Sequence, residues 1–314
     1  MRQFLAIFKN SYKIIIGDPF FLALHAIGYI GLAFIGSLPT YSFSRHIVYL
    51  REQTQSFIFI LLALTVAFSL IRVVTDDIRR GADAILLSRP ISSFSIIMGK
   101  WAGVIVGMLF MALSLSAAYL WVSEIAHNPH EMNKGSMVAF LSVPAVVAIL
   151  GGIRNFSFSK PYVFFTNKML CFACLAGLSY KLFSKGMTFF DFTSFTSAAS
   201  IILAVTVLAS ILTLLAVKFD SAIVLGGAVI LFFTGLVSQY FLGEWLGHGT
   251  INNMISVIVP DWQSYWLLEK MANDEPITLI YFTHLIIHTL TVSGIFLILS
   301  IKSYDKMELQ GCGY

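Results

Sequence analysis

Long runs of apolar residues, separated by short clusters of charged residues, dominate the sequence. An α-helix needs about 20 consecutive, mostly apolar residues to cross the hydrocarbon core of a bilayer. Six charge-free runs have this character. They predict six membrane-spanning helices within residues 20–41, 56–71, 101–122, 192–217, 221–243 and 276–301.

Two further runs, 137–153 and 161–180, predict an extra pair of spans, although the second contains Asn167 and Lys168. Lys and Arg residues in short loops favour the cytoplasmic side of a membrane. With eight spans and a cytoplasmic N-terminus, 14 of the 20 Lys and Arg residues lie inside, and the other six are Arg45, Arg51, Lys134, Lys181, Lys185 and Lys270. If the pair stayed outside, the split would fall to 11 against 9. The count favours eight spans with both termini cytoplasmic, and a re-entrant or membrane-surface hairpin is the alternative.

The first 18 residues have a helical pattern of their own, which ends at Gly17-Asp18-Pro19. At 100° per residue the basic side chains fall on one face and the apolar ones on the opposite face: Arg2, Lys9 and Lys13 against Phe4, Phe8 and Ile15. We therefore predict an amphipathic helix at the cytoplasmic interface (1–18), followed by one transmembrane domain (19–314). A charged leader that merely orients the first span is the alternative.

Composition supports the same class of protein. Hydrophobic residues make up 58% of the chain and charged residues 11%, whereas globular proteins have about 45–50% and about 25%. These values exclude soluble domains and disorder, and three cysteines do not suggest a disulfide framework. The net charge of +4 is too small to suggest a nucleic-acid partner. The predicted fold is an all-α, polytopic transmembrane bundle with six core spans and a further pair.

The segment 72–100, between the second and third predicted spans, is the most informative loop. Thr75-Asp76-Asp77 predicts a helix start, and residues 91–98 predict a second short amphipathic helix. Between them lies an apolar stripe that includes Leu86 and Leu87. Exposed apolar surface in a cytoplasmic loop suggests either a protein partner or the membrane surface.

Two pairs of side chains have metal-ligand spacing. His284 and His288 lie four residues apart in the last span, and Cys171 and Cys174 lie three apart. Neither pair has the third or fourth ligand that a transition metal requires, so we predict no metal site. For the histidines we favour an intramembrane polar path or an interface between subunits, with hydrogen bonding to a neighbouring helix as the alternative. For the cysteines, and for His25, we favour packing.

The loop also carries a longer pattern, Asp77-x-x-x-Gly81-x-x-x-x-Leu86-Leu87-Ser88-Arg89-Pro90-Ile91-Ser92, followed by Gly99-Lys100. It resembles the signature of ABC-2 type ABC transporter permeases, in the branch similar to the nitrous-oxide-reductase (multicopper enzyme) maturation permeases. Three further segments are similar to that family: Lys218-Phe219-Asp220, Pro260-Asp261-Trp262-Gln263 and Ser303-Tyr304-Asp305-Lys306-Met307-Glu308-Leu309. The chain departs from the family pattern at Ala82, where a Thr is usual, and in its extra pair of spans.

The resemblance implies a permease that works with a separate ATPase subunit and with a second permease copy or paralogue. It implies that residues 76–98 couple the two subunits, with Asp77, Gly81, Leu86, Leu87, Arg89, Pro90 and Gly99 as the coupling residues. The implied location is a bacterial inner membrane, the implied activity is export, and 244–276 is the outer loop. The chain has no GxxxxGK[ST] loop, so ATP would bind to the partner, and we predict no catalytic residue or cofactor in this chain. A secondary carrier and an intramembrane enzyme are the alternatives, and the first would require inverted repeats and broken helices.

Overall fold

The structure, a computed structural model, describes residues 2–38, 46–80, 91–125, 133–185, 192–240, 260–267 and 279–311. Within these ranges all regular structure is helical, which confirms the all-α prediction. The helices are α1 (Arg2–Ile16), α2 (Pro19–Ser37), α3 (His46–Leu70), α4 (Asp76–Arg79), α5 (Ser93–Ile125), α6 (Lys134–Phe158), α7 (Tyr162–Lys185), α8 (Phe192–Lys218), α9 (Ser221–Tyr240), α10 (Trp262–Tyr265) and α11 (Leu279–Gly311).

Seven of the helices described are long and apolar enough to cross a membrane, which confirms a multi-pass bundle. They begin within α2, α3, α5, α6, α8, α9 and α11. Helix α7, the weakest span on sequence grounds, has a shorter apolar part, Tyr162–Gly177. The extra pair therefore forms two helices, and the side of the membrane on which each loop lies stays a prediction.

The residues form two compact units. The first contains residues 1–15, 63–106 and 199–314, so it includes most of α1 and all of α9, α10 and α11. Its core is built from small and branched side chains such as Val73, Val74 and Leu208. Arg2, Lys9 and Lys13 on α1 are exposed and Ile15 is buried, so α1 has the predicted two faces.

The second unit contains residues 16–62 and 107–198, and α2, α6 and α7 lie within it. Close approach between α2 and α5 depends on glycine. A Cβ atom added at Gly28 would come within 2.6 Å of the Leu115 side chain, and one added at Gly36 within 2.5 Å of Val122. Missing side chains thus permit tight helix packing where lipid supplies no hydrophobic driving force.

Candidate functional site

Helix α3 does not end the helical segment at Leu70. The chain continues through a π-helical turn, Ile71–Thr75, into α4. Thr75 has helical backbone angles, φ −64° and ψ −46°, and makes no capping hydrogen bond. Its hydroxyl instead donates to the Ala216 carbonyl, at 3.1 Å. The predicted helix start at Thr75 is therefore wrong. The backbone is already helical before Thr75, and the Thr75 hydroxyl bonds to α8 instead of capping α4. Single π-helical turns are often found at functional sites.

The two flanks of the loop 81–90 are joined by an ion pair. Asp77 Oδ2 on α4 lies 3.1 Å from Nζ of Lys100 on α5. The Lys100 side chain is only 3% exposed, whereas that of Asp77 is 29% exposed. The pair fixes the distance between the helix that enters the loop and the helix that leaves it. We refer to it as the Asp77–Lys100 clamp.

Among the described residues after the loop, 91–100, the helical ones belong to a single long helix. Helix α5 begins at Ser93 and runs unbroken through Gly99 and Lys100 to Ile125. The Ser92 hydroxyl accepts from the Ser95 backbone N–H at 3.3 Å, as an N-terminal cap does. The predicted amphipathic stretch 91–98 therefore runs directly into the next span: from Ser93 onwards its residues are the first turns of α5.

More charges surround the clamp. Asp76 lies 3.5 Å from both Arg72 and Arg80, and Arg79 pairs with Asp220. Asp220 belongs to the turn between α8, which ends at Lys218, and α9, which begins at Ser221, as the sequence predicted. We call Arg72, Asp76, Asp77, Arg79, Arg80, Lys100 and Asp220 the charged cluster.

Helix α1 crosses α5 beside the clamp at two glycines spaced four residues apart. A Cβ atom added at Gly99 would lie 2.9 Å from the Ile7 side chain and 3.3 Å from the Phe4 carbonyl oxygen. One added at Gly103 would lie 2.7 Å from Cβ of Ser11. Gly99 therefore does more than join the loop to the span: its missing side chain lets the N-terminal helix pack on α5.

Of the seven predicted coupling residues, the structure brings Asp77 and Gly99 to the flanks of the loop. The other five, Gly81, Leu86, Leu87, Arg89 and Pro90, lie outside the described residues. Sequence reasoning did not single out Lys100 as the partner of Asp77. The sequence feature that could have identified it is that Lys100 is the only charged residue between residues 93 and 123.

The segment 260–267 connects α9 and α11 within the first unit. Trp262 is buried, and its indole N–H donates to the Phe232 carbonyl at 3.0 Å, where Gly235 leaves room for the ring. On the other side the Tyr281 hydroxyl donates to the Ser264 carbonyl at 2.6 Å. Asp261 caps α10 by accepting from the Gln263 backbone N–H at 3.0 Å. The segment is therefore hydrogen-bonded to both α9 and α11 and holds these two helices together.

The two histidines of α11 differ in their surroundings. His288 Nδ1 lies 2.8 Å from the Tyr265 hydroxyl, which also lies 2.9 Å from Oγ1 of Thr289. Burial raises the pKa of Tyr265 to about 12, so this phenol keeps its proton at any physiological pH. His284 is exposed on the surface of the chain. Hydrogen bonding to a neighbouring element thus occupies His288, and a polar path through both histidines stays a prediction.

A buried hydrogen-bond network in the second unit was not predicted as a set. His25 Nε2 lies 2.9 Å from Oγ of Ser114, and His25 Nδ1 lies 3.3 Å from Oδ1 of Asn167. Asn167 Nδ2 donates to the Ile16 carbonyl at 2.8 Å. Tyr29 extends the network, since its hydroxyl lies 2.6 Å from Oγ of Ser114 and 2.7 Å from Sγ of Cys174. We call these residues the neutral network.

Among the described residues, no group of three or more His, Cys, Asp or Glu side chains could hold a metal ion. Cys171 and Cys174 are buried free thiols that form no disulfide with each other. The Cys171 Sγ lies 3.7 Å from the Phe110 carbonyl oxygen. Comparisons with protein-family models, with curated proteins and with solved structures find no match to this chain.

Proposed function

We propose that this chain is the membrane-spanning permease subunit of an ABC-2 type ABC transporter, and that it exports its substrate with energy from a separate ATPase subunit. The observation that supports this most directly is the Asp77–Lys100 clamp. A loop with the family pattern is attached at both ends to helices that enter the bundle, and a nearly buried ion pair joins those ends. A tether that only touched the membrane would need no such connection.

The clamp suggests how coupling would work. When the ATPase subunits close on ATP, they move the docked loop. Because α4 continues α3 through the π-helical turn and Lys100 lies on α5, a displacement of the loop moves both helices together. If the packed helices have two discrete arrangements, a small shift of these two helices switches the bundle between them and opens the substrate path to the other side of the membrane. ATP remains on the partner, since this chain has no phosphate-binding loop.

The proposal also implies a second permease subunit, as a copy of this chain or as a paralogue, in the bacterial inner membrane. Several large apolar side chains of α9 and α11 are exposed in the single chain, among them Ile230, Phe233, Ile287 and Leu290. Such surfaces suit either lipid or a partner subunit. The bilayer and the second permease are therefore the two partners that we propose besides the ATPase.

The test is to replace Leu86 and Leu87 by Asp together and to measure capture of the ATPase subunit. Each buried leucine contributes about 1.5–3 kcal/mol, so the double variant is expected to weaken docking by roughly a hundredfold or more. Phe219→Asp is the matched control, because Phe219 is an exposed apolar residue in a different turn, the one between α8 and α9 beside Asp220 of the charged cluster. It is expected to leave capture unchanged.

Three results would contradict the proposal. The first is full capture and normal transport by the double aspartate variant. The second is robust ATP hydrolysis by the purified chain without a partner. The third is transport driven by an ion gradient alone, which would instead favour a secondary carrier.

A further inference from the structure

The turn between α6 and α7 collects positive charge within a long stretch of sequence that has no acidic residue. It contains Arg154, Lys160 and Lys168, and the sequence has no Asp or Glu between residues 132 and 190. The ion pairs described above belong to the charged cluster and not to this turn. We refer to residues 154–168 as the basic turn.

Aromatic rings hold two of these cations in place. The Arg154 guanidinium lies 4.2 Å from the centre of the Phe165 ring, and the Lys168 ammonium lies 4.4 Å from the centre of the Phe164 ring. A cation over an aromatic face is stabilised there, yet its N–H groups remain free to donate to an anion. Both charged groups are therefore positioned before any ligand arrives.

The backbone of the turn is fixed as well. Ser159 has left-handed angles, φ 50° and ψ 35°, and its N–H donates to the Asn155 carbonyl at 3.0 Å. The Asn155 side chain donates to the Lys160 carbonyl at 2.8 Å. These bonds close the end of α6 and set the direction in which Lys160 leaves it. The three cations are thus carried on a defined turn.

Exposed phenylalanines flank the cations. Phe156 is 92% exposed and Phe158 is 69% exposed. Further along α6 the side chains of Val146, Ile149 and Ile153 are also exposed. Large apolar groups beside basic ones are typical of a segment that inserts its rings at the boundary between headgroups and acyl chains. The α6 surface next to the turn therefore fits lipid.

We propose that the basic turn binds the phosphate headgroup of an anionic glycerophospholipid. The depth of the charges agrees with this ligand. Arg154 lies four residues before the end of α6 and Lys168 six residues after the start of α7, so both lie within about 6–9 Å of the helix ends at 1.5 Å per residue. That is the level at which a lipid phosphate meets a spanning helix. Basic pockets between such helices recognise anionic headgroups in this way.

Lipid binding at this turn is independent of the proposed transport function. It uses residues of the second unit alone and makes no use of the charged cluster. The observations also favour lipid over a soluble anion. A soluble anion would gain nothing from the exposed phenylalanines, whereas a lipid uses the phenylalanines for its acyl chains and the cations for its phosphate.

The experiment titrates the purified full-length chain, in a neutral detergent, with phosphatidylglycerol and separately with phosphatidylcholine. Bound lipid is counted by native mass spectrometry. The test variant is Arg154→Gln with Lys160→Gln and Lys168→Gln. The matched control removes the same charge from the other end of the same two helices, as Lys134→Gln with Lys181→Gln and Lys185→Gln. Each basic residue near an anionic surface contributes about fivefold, so the test variant is expected to lose roughly a hundredfold in affinity for phosphatidylglycerol.

Four outcomes would overturn the proposal. They are equal binding of the two lipids by the unmodified chain, equal losses in the test and control variants, no loss in the test variant, and displacement of the lipid by glycerol phosphate at similar concentration. Because three substitutions can harm folding, a milder variant is measured in parallel, Phe164→Leu with Phe165→Leu. It removes the aromatic supports and keeps all charge, and it is expected to weaken phosphatidylglycerol binding by about fivefold while phosphatidylcholine binding is unchanged. Unchanged phosphatidylglycerol binding in this variant, too, would contradict the proposed geometry.

Discussion

The charged cluster and the neutral network are both polar groups on helices of a membrane protein, but they are built differently. The charged cluster contains seven ionisable residues joined by ion pairs, most of them partly exposed. The neutral network contains no Asp, Glu, Lys or Arg side chain. Three of its members, His25, Ser114 and Asn167, are fully buried. One is at a helix end beside a loop, and the other is inside a bundle.

This difference indicates different roles. Most charges of the cluster keep part of their hydration, so their exposed pairs can be rearranged at modest cost. The Asp77–Lys100 clamp differs, because Lys100 is only 3% exposed and the pair holds the two flanks of the loop together. Buried neutral groups that lose a partner find no water to replace it, so they fix one arrangement of the helices. We therefore expect the neutral network to determine stability and the Asp77–Lys100 clamp to determine coupling.

The largest effect is expected from Asn167→Leu. The substitution removes the partner of His25 Nδ1 and leaves the Ile16 carbonyl without its donor. Two stranded buried groups cost about 3 kcal/mol in the free energy of unfolding. Reversible unfolding in mixed micelles measures this loss, and capture of the proposed ATPase subunit should persist at low temperature.

Asn155→Leu is the matched control for this prediction. Asn155 is exposed, and its side chain bonds only within the turn, to the Lys160 carbonyl. A loss below about 1 kcal/mol is expected, as for a typical single hydrogen bond. If the two variants were equally stable, burial would not distinguish the network from a surface turn.

The second prediction concerns the clamp. Lys100→Met leaves Asp77 without its nearly buried partner, and the loss of stability is expected to be about 2 kcal/mol. This is below the about 3–5 kcal/mol for a fully buried pair, because water still reaches Asp77. In the proposed complex with an ATPase subunit, the ATPase rate measured in proteoliposomes is expected to fall more than the stability does.

A double-mutant cycle sharpens this prediction. Asp77→Asn combined with Lys100→Met strands no charge, so stability should return toward that of the unmodified chain while coupling stays impaired. Recovery of both stability and coupling in the double variant would mean that the clamp serves packing alone.

Sequence patterns were sufficient for the helices and insufficient for the contacts among them. Runs of apolar residues predicted the eight long helices found in the described residues, since the length needed to span a bilayer is set by the rise of the helix. Asn167 weakened the prediction of α7 because a polar group in lipid is costly, but it lies inside the unit against His25, 142 residues away in the chain. No local pattern encodes such a pairing.

The loop shows the same limit at close range. Thr75-Asp76-Asp77 has the composition of a helix start, and local rules cannot reveal that α3 continues into it or that Ala216 accepts the Thr75 hydroxyl. The position of Asp77 was predicted as important from its pattern. Its partner Lys100 follows only from the packing of α4 beside α5.

Two glycine substitutions with smaller effects, one at the contact with α1 and one in open space, test the packing of α1 beside the clamp. Gly103→Ala places a Cβ atom 2.7 Å from Cβ of Ser11, with the Tyr12 amide nitrogen at 3.1 Å. We expect a loss of about 1 kcal/mol from overpacking. Gly226→Ala meets nothing within 4 Å, and in a helix it should stabilise by about 0.5–1 kcal/mol. Unfolding in mixed micelles compares the two, and a loss at both positions would show that backbone flexibility, not close approach, is what these glycines provide.

The smallest effect is expected from Arg79→Ala, which removes the ion pair to Asp220. The side chains of Arg79 and Asp220 are 50% and 62% exposed, and pairs at such positions contribute about 0–1 kcal/mol. We expect unfolding to change by less than about 0.5 kcal/mol and the ATPase rate of the complex to change little, in contrast with Lys100→Met. Salt should abolish even this small difference, since exposed charges are screened over about 10 Å at 0.1 M. If Arg79→Ala reduced coupling as much as Lys100→Met does, the charged cluster would act as one network, and the distinction between its buried pair and its exposed pairs would have no functional meaning.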